Sequence, residues 1–106
     1  PLKWEFPGGK IKNDETNEEA LNREINEELS INIINCEELI SYNFNYKDLN
    51  KRVFIHFYLV NNFCGKVSNN FHKELKWIEI KDIREYDFLE GDLKIIDHIS
   101  SNDFKY

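Results

Sequence analysis

The segment from Gly9 to Ile31, GKIKNDETNEEALNREINEELSI, constrains the fold more than any other part of the chain. Thr16 followed three residues later by Glu19 matches a capping box, which predicts a helix that begins at Asn17. Apolar residues then recur at every fourth position: Leu21, Ile25 and Leu29. At about 100° per residue this spacing makes one apolar stripe. The sequence therefore predicts an amphipathic helix that packs against a core and ends after Leu29.

A neighbouring arc of the same helix carries only carboxylates. Glu24, Glu27 and Glu28 stand at positions i, i+3 and i+4, so their side chains converge. Like charges at this spacing cost about 0.2–0.5 kcal/mol per pair unless a cation lies among them. Carboxylate oxygens are the ligands that hard divalent metal ions prefer. The residues by themselves leave two interpretations open, a metal site and a solvated acidic face.

Composition limits the class of protein and its partners. With 106 residues and 12.8 kDa, the chain is expected to form a single domain over residues 1–106. The apolar fraction of 41% is typical of a folded globule. A net charge of −6 argues against direct nucleic-acid binding and against membrane binding, because both favour a basic face. An acidic protein with an anionic substrate needs metal ions or a local basic patch.

The cysteines and the chain start bear on the cellular setting. Cys36 and Cys64 lie far apart and predict buried free thiols, which favours a reducing cytoplasm. The sequence shows neither a signal-peptide pattern nor an apolar run near the ~20 residues that cross a bilayer. The chain begins at Pro1 inside what is predicted as a strand, Leu2–Phe6, so we expect further residues upstream.

The remaining periodicities predict an α/β fold with a mixed sheet and helices packed on it. The predicted elements after the first helix are strands over Cys36–Asn45, Val53–Val60 and Leu75–Ile80, a turn or short helix over Ile83–Leu89, and a helix over Leu93–Ser100. The first two of these strands are expected to form an antiparallel hairpin. Asp92 stands where it can cap the last helix.

Gly9–Ile31 resembles the signature of the Nudix hydrolases, G-x5-E-x7-R-E-U-x-E-E-x-G-U, where U is a bulky aliphatic residue. The matching positions are Gly9, Glu15, Arg23, Glu24, Ile25, Glu27, Glu28 and Ile31. The last glycine is Ser30 here, and that glycine usually ends the helix in a left-handed conformation that serine tolerates less well.

The resemblance covers nearly the whole chain and points to the MutT-like branch. Counterparts of that branch are the entry segment Trp4–Ile11, the two strands Val53–Val60 and Leu75–Ile78, and the segment Phe88–Asp92. The family's N-terminal strand or strands are expected before Pro1. The resemblance implies a Nudix fold, a mixed β-sheet sandwiched between α-helices, that is incomplete at its N-terminus.

The family's chemistry implies Mg²⁺ as the cofactor, with Mn²⁺ as a substitute. By resemblance, the metal ligands are the carboxylates of Glu24, Glu27 and Glu28 and the carbonyl of Gly8. Arg23 is expected to form an ion pair that orients Glu15 or a ligand carboxylate. The resemblance does not choose the base among Glu24, Glu28 and the loop acid Glu74. Counting back from Trp77 to the family's loop glutamate arrives near Phe71 and His72.

Four residues are candidates for substrate binding: Phe6, Lys10, Glu74 and Asp92. Phe6 can stack on a base or pack in the core, and Lys10 can meet a phosphate or remain solvated. Asp92 matches the position at which MutT-like proteins read the base edge with Asn or Asp. The three histidines share no metal-ligand spacing, and His56 in its apolar strand is expected to be a core residue.

The resemblance implies a hydrolase that converts a nucleoside triphosphate and water into the monophosphate and diphosphate. An oxidised purine nucleotide such as 8-oxo-dGTP is the first expectation, with a role in nucleotide-pool sanitation and DNA repair. The alternatives are a CTP-like nucleotide, a nucleoside diphosphate derivative, or a nucleotide-binding module without turnover. The sequence leaves the oligomeric state open.

Overall fold

The computed structural model describes residues 3–47, 50–101 and 104. Its elements are α1 (Asn17–Leu29), β1 (Asn32–Tyr46), β2 (Lys51–Cys64) and α2 (Leu93–Ile99), with short 3₁₀ helices at Ile80–Glu85 and Glu90–Asp92. Leu2, the predicted start of the first strand, lies outside the described residues. Within the described ranges, every helix is too short or too polar to cross a bilayer.

Helix α1 has the bounds that the sequence predicts. The Thr16 hydroxyl accepts the backbone N–H of Glu19 at 3.1 Å, and the Glu19 carboxylate accepts the backbone N–H of Thr16 at 2.8 Å, which completes the capping box. At the other end, Ser30 adopts the left-handed conformation, with φ 64° and ψ 27°. The start of α1 is therefore fixed by a local sequence signal, and the helix ends at a left-handed residue.

Strands β1 and β2 form the predicted two-stranded antiparallel hairpin. Strand β1 begins at Asn32, earlier than predicted, and its partner β2 continues to Cys64, past the predicted end at Val60. The backbone N–H of Ile33 also donates to the side-chain oxygen of Asn22 on α1, at 2.9 Å. The buried-thiol prediction is wrong for Cys64, which is exposed at the end of β2, while Cys36 is half-buried.

The strand predicted over Leu75–Ile80 is absent from the structure. This segment has no hydrogen-bonded strand partner among the described residues, and the 3₁₀ helix begins at Ile80. Side chains there still serve as packing residues, since Leu75 and Ile78 each contact a core cluster while Trp77 is 77% exposed. The apolar pattern of this segment therefore reflects the packing of Leu75 and Ile78 against core residues and not strand pairing.

The predicted first strand is reduced to one parallel bridge between Trp4 and Phe88. The backbone N–H of Trp4 donates to the carbonyl of Asp87 at 2.8 Å, and the N–H of Leu89 donates to the carbonyl of Trp4 at 3.0 Å. This parallel bridge and the antiparallel hairpin together give mixed pairing, as expected for the predicted α/β class.

The chain divides into two compact units, each with its own core. The helix unit comprises Pro7–Ser41 and His56–Leu75, and the terminal unit comprises Pro1–Phe6, Tyr42–Ile55 and Lys76–Tyr106. The core of the helix unit is built from Ile25, Leu29 and Ile31, with Leu21, Ile33, Val67 and Leu75 packed against them. The core of the terminal unit is built from Ile83, Phe88 and Ile96, with Trp4, Phe6, Ile78, Tyr86 and Ile99 around them.

Candidate functional site

Arg23 organises the acidic side of α1. Its guanidinium binds Glu15 through two N–H groups, with Nε–Oε2 at 2.6 Å and Nη2–Oε1 at 3.0 Å. The same side chain donates to Glu24 at 2.7 Å and to the backbone carbonyl of Lys10 at 2.9 Å. The hydrogen bonds from Arg23 hold the pKa of Glu15 at about 2, so Glu15 is ionised at neutral pH. Arg23 is therefore committed to protein partners and orients a glutamate of the predicted metal set.

Gly9 gives the Glu24 carboxylate the space it occupies. A Cβ added to Gly9 would overlap the carboxylate of Glu24. Any other residue at this position would require the Glu24 carboxylate to shift from where it lies. The preceding Gly8 has a φ of +149°, a conformation that side-chain-bearing residues rarely adopt. Gly8 is therefore favoured by its backbone conformation, and Gly9 leaves room for the Glu24 carboxylate.

Glu28 is the most deeply buried acid of the helix, with its side chain 7% exposed. Burial raises its pKa above the ordinary value, His72 opposes this shift, and the nearby carboxylate of Glu24 adds to it. The two glutamates therefore face one another closely enough to interact. A like-charged pair of this kind favours a cation between its members.

The donor set fits a hard divalent metal ion in part. Glu24 and Glu28 offer carboxylate oxygens of the kind that such an ion prefers, on one arc of α1. Glu27 is 58% exposed and lies 3.6 Å from Arg23. No group of three His, Cys, Asp or Glu side chains in the described ranges is arranged as a metal site. Of the three predicted glutamates, Glu24 and Glu28 therefore interact with each other, whereas Glu27 lies near Arg23.

The candidate substrate residues have different surroundings. Phe6 stacks on Phe88 with ring centroids 5.1 Å apart, which is the core packing that the sequence offered as one interpretation. Lys10 and Glu74 are exposed. Within the described residues, none of the hydrogen bonds or ion pairs found joins Glu74 to a glutamate of α1.

Asp92 does not act as a helix cap, so the capping prediction is wrong. Its side chain makes no capping hydrogen bond to α2, and its Oδ2 is buried without a hydrogen-bond partner among the described residues. Burial raises the pKa of Asp92 to about 6, and the charge of Glu5 adds to this effect. Nearby, the hydroxyl of Tyr42 donates to the carbonyl of Gly91 at 2.6 Å. An unpartnered buried carboxyl oxygen is the kind of group that a ligand satisfies.

The sequence-based reasoning missed His72. Its Nε2 lies 2.6 Å from Oε1 of Glu28, and its side chain is 19% exposed. We dismissed the histidines because their spacing matches no metal site, but the count back from Trp77 already pointed to this part of the loop. His56, expected in the core, is half-buried and pairs with Glu38 at 2.6 Å.

Comparison with known proteins establishes the family. The NUDIX domain model matches residues 1–99, so the chain belongs to the Nudix family, whose members generally need a divalent metal ion. A structure reported for MutT of Aliivibrio salmonicida and Vibrio cholerae superposes with a TM-score of 0.81 at 28% identity, covering 92% of this chain and 74% of that chain. The solution structure of the Escherichia coli ORF135 protein gives 0.80 at 29% identity, covering 89% and 66%.

Sequence relatives agree with the structural neighbours. An 8-oxo-dGTP diphosphatase of Haemophilus influenzae is 36% identical over 92 residues, which cover 87% of this chain and 66% of that protein. A CTP pyrophosphohydrolase of Escherichia coli is 30% identical over 95 residues, covering 89% and 68%. The chain thus spans about two thirds of the relatives' length, and it is a hydrolase of the MutT-like type.

Proposed function

We propose that the chain is a Mg²⁺-dependent nucleoside triphosphate pyrophosphohydrolase, which releases a nucleoside monophosphate and diphosphate. The observation that carries this proposal is the arrangement on α1, where the Glu24 carboxylate lies against Gly9, Arg23 holds it at 2.7 Å, and Glu28 interacts with it from one turn later. When bound, Mg²⁺ neutralises phosphate charge and makes a water molecule more acidic. Mn²⁺, with similar oxygen preferences, is the expected substitute.

The residues of the helix unit divide this work among them. Glu24, Glu27 and Glu28 would hold the metal ions, with the carbonyl of Gly8 as a further oxygen ligand. Arg23 donates one hydrogen bond to Glu24, and its other N–H groups bind Glu15 and the backbone carbonyl of Lys10. A glutamate must also take the proton of the attacking water, and Glu24 and Glu28 remain the candidates. Glu74 has weaker support as the base, because it is exposed and none of the contacts found among the described residues joins it to Glu24 or Glu28.

The first substrate we propose is an oxidised purine nucleotide such as 8-oxo-dGTP, which would give the protein a role in nucleotide-pool sanitation and DNA repair in the cytoplasm. Support comes from the 8-oxo-dGTP diphosphatases among the relatives. Asp92 is our candidate for binding the base edge, since its Oδ2 is buried without a partner among the described residues. With a pKa of about 6, this carboxyl accepts hydrogen bonds at neutral pH and can donate one at lower pH. Phe6 and Lys10 are secondary candidates for stacking and for phosphate contact.

The CTP pyrophosphohydrolase of Escherichia coli favours a second candidate substrate, a CTP-like nucleotide. This alternative keeps the reaction and the metal glutamates and changes only the base. Hydrogen-bonding edges of cytosine and of an oxidised purine differ, so the relative rates on the two nucleotides distinguish the candidates.

The test is phosphate release from a panel of 8-oxo-dGTP, dGTP, dATP and CTP with Mg²⁺. Each reaction is assayed with and without added inorganic pyrophosphatase, which splits diphosphate into two phosphate ions. If diphosphate is the product, phosphate is detected only when that enzyme is present. We expect pyrophosphatase-dependent release, fastest with 8-oxo-dGTP. Binding of every nucleotide without release of diphosphate from any of them would refute the proposal, and a higher kcat/KM for CTP would select the second candidate.

A matched pair of variants tests Asp92. Asp92→Asn is expected to change the ratio of kcat/KM between 8-oxo-dGTP and dGTP by about 10-fold or more, because it alters the hydrogen bonds offered to the base. Glu90→Gln, at an exposed acid two residues earlier, should leave that ratio unchanged. Equal ratios in both variants would remove Asp92 from the base site.

A further inference from the structure

The loop after β2 carries a histidine that reaches the glutamates of α1. Nε2 of His72 lies 2.6 Å from Oε1 of Glu28, with the two side chains 19% and 7% exposed. A hydrogen bond to a carboxylate that is this short and this shielded from water fixes the direction in which the carboxylate points.

Hydrogen bonds hold the loop against the C-terminal end of α1. The backbone N–H of Asn70 donates to the carbonyl of Glu28 at 3.0 Å, and the N–H of Ser68 donates to the carbonyl of Leu29 at 2.9 Å. The side-chain amide of Asn70 donates to the carbonyl of Glu27 at 3.1 Å. These carbonyls lie in the last turn of the helix and have no partner within it. The loop is therefore the C-terminal cap of α1.

Ser30, which replaces the glycine of the signature, belongs to the same cap. Its hydroxyl oxygen accepts the side-chain amide of Asn70 at 2.6 Å and lies 3.0 Å from the hydroxyl of Ser68. A glycine would remove this acceptor from both loop residues. The departure from the family pattern is thus matched by two partners in the loop.

Asn69 fixes the backbone on which the imidazole is carried. Its side-chain oxygen accepts the backbone N–H of His72 at 2.8 Å and that of Phe71 at 3.2 Å. Its amide donates to the carbonyl of His72 at 2.7 Å. The position of His72 is therefore determined both by the cap on α1 and by this local turn.

We propose that His72 is a positioning residue that holds one carboxylate oxygen of Glu28 and leaves the other free for the divalent metal ion. The inference rests on the proposed function, because that proposal makes Glu28 a metal ligand. Partners that hydrogen-bond a ligand in this way typically change metal affinity by about 10–100-fold when they are removed. His72 thereby occupies the part of the loop in which relatives are expected to carry a glutamate.

The test measures metal binding directly. Mn²⁺ is titrated into the nucleotide-free protein, and the free ion is followed by its electron paramagnetic resonance signal. His72→Ala is expected to raise the Kd for Mn²⁺ about 10-fold, whereas His72→Gln, which keeps an N–H donor, should stay within about 3-fold of the unaltered chain. His72→Leu fills the same space without a donor and is expected to behave as His72→Ala does. At saturating Mg²⁺ the KM for nucleotide should change little.

The chain offers a matched control in His56. This histidine also pairs with a glutamate at 2.6 Å, has a side chain 22% exposed and belongs to the helix unit, but its partner is Glu38 on β1. His56→Ala should leave the Kd for Mn²⁺ unchanged.

Each outcome decides between the proposals. Unchanged Mn²⁺ affinity in His72→Ala and His72→Leu, or an equal loss in His56→Ala, would overturn the positioning role. An unaltered chain that binds no Mn²⁺ would overturn it as well. Failure of the proposed function has a different signature, since a chain that binds Mn²⁺ in a His72-dependent way yet releases no diphosphate would refute only the enzyme reaction.

Discussion

At the scale of residues, the acids of this chain differ because their neighbours differ. Glu15 is held ionised by Arg23, with a pKa of about 2. Glu28 and Asp92 have raised pKa values, with burial as the largest cause for each. Both of these carboxyl groups have roles in our proposals, Glu28 in metal binding and Asp92 in base binding, which agrees with the tendency of perturbed groups to occur at functional sites.

Glu28→Gln should lower the rate of diphosphate release by at least about 100-fold, because it removes a charged oxygen that stabilises the transition state through the metal ion. The measurement is kcat with the best nucleotide at saturating Mg²⁺. Glu18→Gln, at an exposed acid in the first turn of the same helix, serves as the control and should retain the rate. Near-normal turnover of Glu28→Gln would exclude Glu28 as a metal ligand.

Asp92 should make stability depend on pH. Its folded pKa of about 6 exceeds the reference value of 3.8, so the folded state binds more protons between these values. The free energy of unfolding therefore falls as the pH rises from about 4 to about 6. Asp92→Asn should be more stable than the unaltered chain at pH 7.5, by about 1 kcal/mol after allowance for solvent screening, and should lose that advantage near pH 4.5.

Urea unfolding at the two pH values measures this difference, with Glu90→Gln as the exposed control. An Asp92→Asn variant with the same advantage at both pH values would show that the carboxyl does not titrate in this range.

At the scale of elements, α1 has a defined capping arrangement at each end. The capping box of Thr16 and Glu19 starts it, and the left-handed Ser30 ends it at φ 64°. A serine in this conformation is strained relative to glycine, but its hydroxyl binds Asn70 at 2.6 Å. The strain and the hydrogen bond oppose each other at one position.

Substitutions at Ser30 separate the two effects. Ser30→Ala keeps the strained backbone and loses the hydroxyl, whereas Ser30→Gly loses the hydroxyl but relieves the strain. We expect Ser30→Ala to be less stable than Ser30→Gly by about 1 kcal/mol in urea unfolding. Equal stability of the two variants would contradict a left-handed conformation at this residue.

At the scale of the whole molecule, the chain has a net charge of −6, and Glu24, Glu27 and Glu28 place three negative charges on one side of α1. A divalent ion that binds the folded chain and not the unfolded one stabilises the fold by mass action. Mn²⁺ at 100 times its Kd should add about 2.7 kcal/mol to the free energy of unfolding and raise the thermal midpoint.

Chelation with EDTA should return the midpoint to its metal-free value, and Glu28→Gln should show a much smaller rise than the unaltered chain. A rise of equal size in Glu28→Gln would place the stabilising ion elsewhere. Differential scanning calorimetry with and without the ion provides the measurement.

The sequence by itself determined the features that depend on short-range interactions. The start of α1 follows from the capping box of Thr16 and Glu19, which lie within a few residues of each other. The hairpin followed from two apolar stretches close in the chain. Helix spacing predicted that Glu24, Glu27 and Glu28 converge, and the structure brings together Glu24 and Glu28 while Glu27 lies near Arg23.

Only the tertiary structure decided the features that join distant segments. Leu75–Ile80 alternates like a strand but packs as an irregular segment, since a strand requires a partner that periodicity does not reveal. Asp92 lies at the start of α2 yet makes no capping hydrogen bond, and its Oδ2 is buried instead.

The contact between His72 and Glu28 joins residues 44 positions apart. It exists because Ser68 and Asn70 attach their loop to the last carbonyls of α1. Helix spacing could place the glutamates on one arc, but only this folded loop brings a hydrogen-bond partner to Glu28.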